Sequence, residues 1–96
     1  MRLEFDKEAK LELKEACDQY EEVRKGLGRA LVREMRAVAK RVASRPLSFT
    51  QIEGTRSRHA LGKRFPYMLV FAIEGDVVRI LSVTHQHRDP EFYLRR

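Results

Sequence analysis

The clearest pattern in the chain is seven apolar residues without a break, Tyr67 to Ile73. A polar Glu74-Gly-Asp76 triplet follows, and then a second apolar run, Val77 to His85. Two such runs around a tight polar turn predict a β-hairpin. The first run is apolar on both faces, as a central strand would be. Its partner ends in His85-Gln-His-Arg88, so the hairpin exit is expected to gather His85, His87 and Arg88.

Upstream the period changes from two to about 3.6. Leu27, Leu31, Met35, Val38 and Val42 form one apolar stripe, with Arg29, Arg33, Arg36 and Lys40 on the opposite side. This predicts a helix ending at or just before Pro46. Ala9, Leu13, Ala16 or Cys17, Tyr20 and Val23 or Arg24 recur similarly, predicting an earlier helix from Lys7 to about Lys25. Asp6 is placed to cap it, and Gly26 stands where a left-handed C-terminal cap belongs. Arg2 to Phe5 alternates as a short strand. Leu47 to Thr55 reads as a loop. Arg56 to Lys63 alternates weakly and is taken as a strand, with Pro66 interrupting pairing or marking an edge. Glu91 to Arg96 is too short to assign. The expectation is α+β: a short N-terminal strand, then an antiparallel helical hairpin packed on a small antiparallel sheet. The other sheet face is left partly exposed or reserved for something else.

The chain has 96 residues, expected to form one domain over 1–96 with a modest core. Cys17 is the only cysteine, which excludes an intrachain disulfide and suits a reducing compartment. The N-terminus is charged from its second residue, and no apolar run is long enough to span a bilayer. A soluble cytoplasmic chain with no membrane partner is expected.

The charge of +6 is unevenly spread. Residues 2–22 carry a net −4 and residues 23–64 a net +10, with twelve Lys or Arg against two acids. A surface of that sign suits an acidic or polyanionic partner, or it solvates a helix face. His85 and His87, two apart, would share a face of a continuing strand; either can act as a general acid or base. Arg88 can hold a phosphate. Arg56, Arg58, Lys63 and Arg64, with His59, can add cations to the same surface, and such a set can cleave RNA without metal. Phe65, Tyr67 and Phe71 are expected in the core. Tyr93 either packs on the hairpin or brings a phenol to the basic face. Two histidines without a third ligand make no metal site, and no cofactor motif is present.

Several segments, in order, resemble one family. These are Ala16-Cys-Asp-Gln-Tyr-Glu-Glu22, Gly26-Leu-Gly28, Ala43-Ser-Arg-Pro46, Arg64-Phe-Pro-Tyr67, Glu74-Gly-Asp-Val-Val-Arg-Ile-Leu-Ser-Val-Thr-His85 and Gln86-His-Arg-Asp-Pro90. The chain is similar to the RelE/ParE superfamily of type II toxin–antitoxin toxins, often described as plasmid-stabilisation proteins. The resemblance implies a growth inhibitor that a cognate antitoxin, acidic or partly disordered, holds inactive. It also implies one of two targets. ParE-like members inhibit DNA gyrase by binding. RelE-like members cut mRNA on the ribosome without metal. In the second case His85, His87, Arg88 and Tyr93 would be catalytic, and Arg56, Arg58, Lys63 and Arg64 would contact substrate. Arg29, Arg33, Arg36 and Lys40 would meet antitoxin or phosphate. RelE-like nucleases often carry an arginine after the aromatic start of the central strand, where this chain has Met68. A ParE-like gyrase inhibitor is expected slightly ahead of its alternative, a ribosome-dependent endoribonuclease, with a decayed toxin that keeps only antitoxin binding as a third.

Overall fold

The computed structural model describes residues 1–94. Strand β1 (Arg2–Phe5) is followed by helices α1 (Lys7–Val23) and α2 (Leu27–Ser44). A 3-10 turn over Pro46–Ser48 leads to β2 (Thr50–Gln51), β3 (Arg58–Leu61), β4 (Tyr67–Glu74), β5 (Val77–His85) and α3 (Pro90–Leu94). The sheet order is β1-β5-β4-β3-β2, which puts β4 at the centre as its two-sided apolar sequence requires. The four later strands pair antiparallel, while β1 lies parallel to β5, so the sheet is mixed rather than wholly antiparallel.

Helices α1 and α2 cover one sheet face. Leu31, Met35, Val38 and Val42 of the predicted stripe are buried there against Leu69, Phe71, Val78, Ile80 and Val83. Strand β5 feeds this core through a bulge. Val70 faces Ser82, but Phe71 faces Ile80, so Leu81 is the extra residue. The bulge changes the side-chain parity of β5, which is why Val78, Ile80 and Val83 all reach the helices despite their uneven spacing. The short α3 covers part of the other face, where Tyr93 packs on Met68 and Val70 with Ile52 and Leu94 alongside.

Several local expectations are corrected. The first helix ends at Val23, which is 76% exposed, so the core stripe of α1 stops at Tyr20. Gly26 is left-handed (φ 88°), but it starts α2 and does not end α1. The α2 amides are capped from across the hairpin. Glu21 accepts from the backbone N–H of Gly26 (3.0 Å), Gly28 (2.8 Å) and Arg29 (3.2 Å). These donors, Gly26 foremost, hold the Glu21 carboxyl below its ordinary range. Asp6 sits at the N-cap of α1, yet its carboxylate accepts from Arg79 (3.0 Å) instead of capping the helix. Arg79 also binds Glu74 (2.8 Å) and lies 3.4 Å from Glu4, which fastens β1 to the hairpin. The segment expected to be a loop contains β2, and the weakly alternating strand is shortened to Arg58–Leu61.

Candidate functional site

The hairpin exit is built by register. His85 lies opposite Tyr67 at the end of the β4–β5 ladder, and residues so paired share a face. The His85 ring meets Tyr67 edge-on (5.5 Å between centroids), Tyr67 meets Tyr20 (6.1 Å), and Tyr20 meets Phe65 (5.1 Å). The strand ends at His85, so the expected continuing strand does not carry His87. The chain turns instead, with the Arg88 amide donating to the His85 carbonyl (3.0 Å). The turn still brings the His87 ring within 5.4 Å of His85. The His87 amide donates to His85 Nδ1 (3.2 Å). In the neutral ring this leaves the proton on Nε2 and keeps Nδ1 occupied as an acceptor.

Gln86 fixes the position of this turn. Its amide donates to the Pro66 carbonyl (2.8 Å), and its side chain donates to the carbonyls of Gly62 and Tyr67 (both 3.1 Å). The hairpin exit is thereby tied to the 62–67 turn, which carries Lys63 and Arg64. Gln86 is not visible as a site residue in the sequence, because an isolated glutamine among polar residues carries no periodic signal. Arg88 stacks its guanidinium over the Phe92 ring at 4.3 Å. It also lines a small polar cavity of about 150 Å³ with Glu15, Gln19, Tyr67 and Thr84. Burial pushes the Tyr67 phenol up, Tyr20 adds to the shift and Arg88 opposes it, so the phenol stays protonated at neutral pH.

Of the remaining candidate cations, Arg56 and Arg58 lie away from His85. Arg58 pairs with Phe71, four residues along β4 from Tyr67, which is about 13 Å at strand rise. Its guanidinium donates to the Phe49 carbonyl (2.8 Å) and so holds the approach to β2. His59 pairs with Val70 and therefore faces the opposite side of the sheet from His85. Arg56 is exposed in the 52–57 turn, beyond the far end of β3. Lys63 and Arg64 lie past the end of β3, so strand parity does not align Arg64 with Arg58 or Lys63 with His59. Tyr93 is 7% exposed and packed on Met68 and Val70; it takes the packing role of the two considered. Among the described residues no group of three His, Cys, Asp or Glu is arranged to hold a metal ion. No helix among them is long and apolar enough to cross a membrane.

A second surface lies on the helices. Arg29, Arg33, Arg36 and Lys40 are all exposed along α2, as their spacing requires. Between α1 and α2 runs a mainly apolar groove of about 390 Å³, lined by Phe5, Leu13, Cys17 and Val32 with Lys10, Lys14 and Arg36. A phosphoryl-transfer site needs its base and its phosphate-binding cations converging on one reacting atom. Here the cations are divided between the α2 face, the 62–67 turn and the far end of β3.

Comparison with known proteins gives a family and a fold. The family described as ParE toxin of type II toxin-antitoxin system, parDE, matches residues 3–90. A chain from the solved structure of the chromosomal ParDE TA system from P. aeruginosa superposes with a TM-score of 0.79 at 18% identity. The alignment covers 88% of this chain and 95% of that one. No curated protein matches.

Proposed function

The chain belongs to the ParE toxin family of type II toxin–antitoxin systems, and from that premise we propose that it arrests growth by binding DNA gyrase. It acts as a non-catalytic inhibitor, and a cognate antitoxin holds it inactive. The match over residues 3–90 carries this reading. The dispersal of the basic residues supports it over message cleavage. His85 has one ring nitrogen occupied, Tyr93 is packed away from solvent, and Arg58 is bound to backbone. Each is a group the nuclease alternative would need free.

The helical groove suits an acidic, partly disordered antitoxin segment. Apolar side chains of such a segment would cover Phe5, Leu13 and Val32 while its carboxylates meet Lys10 and Arg36. Ordering such a segment costs free energy that burial of the groove offsets. The test is supercoiling of relaxed plasmid by purified gyrase. Supercoiling is expected to fall as the protein approaches the gyrase concentration, and to recover when antitoxin is added. Undiminished supercoiling at large molar excess would remove gyrase as the target.

A further inference from the structure

The outer face of α2 holds more cationic charge than the protein itself uses. Arg33, Arg36, Lys40 and Arg41 of α2, with Lys63 and Arg64 of the adjoining turn, are all exposed. Among the described residues none of the six makes an ion pair or a side-chain hydrogen bond, although Arg64 lies over the Phe65 ring at 5.2 Å. Two grooves flank the helix. One, of about 410 Å³, runs along Arg29, Arg33, Arg36 and Lys40; the other, of about 330 Å³, lies between Arg33 and Arg41 on one side and Lys63 and Arg64 on the other. Glu34 is the single acid lining either groove. Its two oxygens are already taken by the backbone amides of Arg64 (2.9 Å) and Phe65 (3.1 Å). At the N-terminal end, Arg29 is partly offset by Glu21. Beyond it Glu34 is the one acid lining the grooves, set against six cations.

The ridge of the same face lacks the large exposed apolar anchors usual at the core of a protein interface, although Ala30, Val32, Ala37 and Val38 line the grooves beside it. Between Leu27 and Ser44 no large apolar side chain is exposed; among the described residues those that are exposed lie elsewhere, at Met1, Leu11, Val23, Leu47, Leu61 and Phe92. Protein interfaces centre on buried aromatic and apolar anchors, whereas nucleic-acid interfaces are polar and strongly positive. The row from Arg29 to Lys40 spans twelve residues, about 16 Å at helical rise, matching the rise of roughly five nucleotides on one strand. Four of the six cations are arginines, whose planar forks bind phosphate oxygens in pairs.

We infer that the α2 ridge and its two flanking grooves bind the phosphodiester backbone of a nucleic-acid duplex, without reading its sequence. This does not rest on the gyrase reading, since it concerns direct contact with nucleic acid in the absence of any enzyme. Fluorescence anisotropy of the full chain with a labelled DNA duplex, and with an RNA duplex of the same sequence, measures it across about 50 to 200 mM salt. Binding to either duplex is expected to weaken steeply with salt, and the preferred duplex identifies the source of the backbone. The variant Arg33→Gln/Arg36→Gln/Lys40→Gln is expected to bind about 100-fold more weakly at about 0.1 M salt, with a salt slope flatter by roughly two to three. Lys63→Gln/Arg64→Gln should flatten it by roughly one to two. Lys7→Gln, which removes an exposed charge from the start of α1, should leave both unchanged. The inference is overturned if the wild type binds neither duplex at the lowest salt. It is equally overturned if the triple variant binds like the wild type, or if Lys7→Gln weakens binding as much per charge removed.

Discussion

A Gly28→Ala variant is expected to melt about 10 °C below the wild type. Helix propensity alone gives the opposite sign, because alanine inside a helix is favoured over glycine by about 1 kcal/mol. Packing decides the outcome. A Cβ at Gly28 would collide with the Cys17 backbone carbonyl oxygen and lie 2.7 Å from Glu21 Cγ and 2.9 Å from Cys17 Sγ. The two side chains can turn aside, but a backbone oxygen inside α1 cannot. The helices must therefore separate where they pack most closely. Separation also loosens the Glu21 carboxylate that caps the amides of Gly26, Gly28 and Arg29. Because the clash is with backbone, overpacking here costs about 3 kcal/mol, the upper end of its usual range, which leaves a net loss near 2 kcal/mol after a propensity gain of about 1 kcal/mol. Thermal unfolding followed by circular dichroism measures it. A rise in Tm would mean that the helices do not approach at Gly28.

Phe71→Ala should cost about 3 to 5 kcal/mol, a large part of the 5 to 15 kcal/mol typical of a small domain. Phe71 has no solvent exposure, sits on the central strand, and meets the Phe49 ring edge-on at 5.9 Å. Phe49 belongs to the segment that Arg58 holds through its carbonyl, so the cavity would weaken both the sheet centre and the approach to β2. Leu61→Ala, on the neighbouring strand but 50% exposed, should change stability by only about 0.5 kcal/mol. Urea denaturation of the two variants separates core from surface. Equal midpoints would contradict the placement of Phe71 beneath the helices.

Most of the scaffold was legible in the sequence because it is written in long periodic segments. The α2 stripe, the seven-residue apolar strand and its turn each carry enough repeats to outweigh local propensity. Strand β2 was not legible, since two residues have no period. The parallel partner of β1 was hidden as well, because alternation states which residues share a face but not which strand they lie beside. The bulge at Leu81 broke the alternation of β5, so parity misplaces residues on either side of it. The candidate site was less legible than the fold. His85 and His87 come together through a turn where a continuing strand was expected, and Gln86, which fixes that turn, is a single polar residue. Arg58 looked available from its charge, but pairing with Phe71 turned it toward a backbone carbonyl. Tyr93 left two readings open, and packing by the five-residue α3 decided between them.

On the proposed reading this ParE-family chain stops growth by binding a target, without cutting messages. Primer extension on translated mRNAs, minutes after the protein is induced without its antitoxin, tests that most directly. Intact messages are expected in cells whose growth has stopped. Cuts in phase with codons, absent when translation is blocked and lost in a His87→Ala/Arg88→Ala variant that still binds antitoxin, would contradict it and make the hairpin exit a nuclease site.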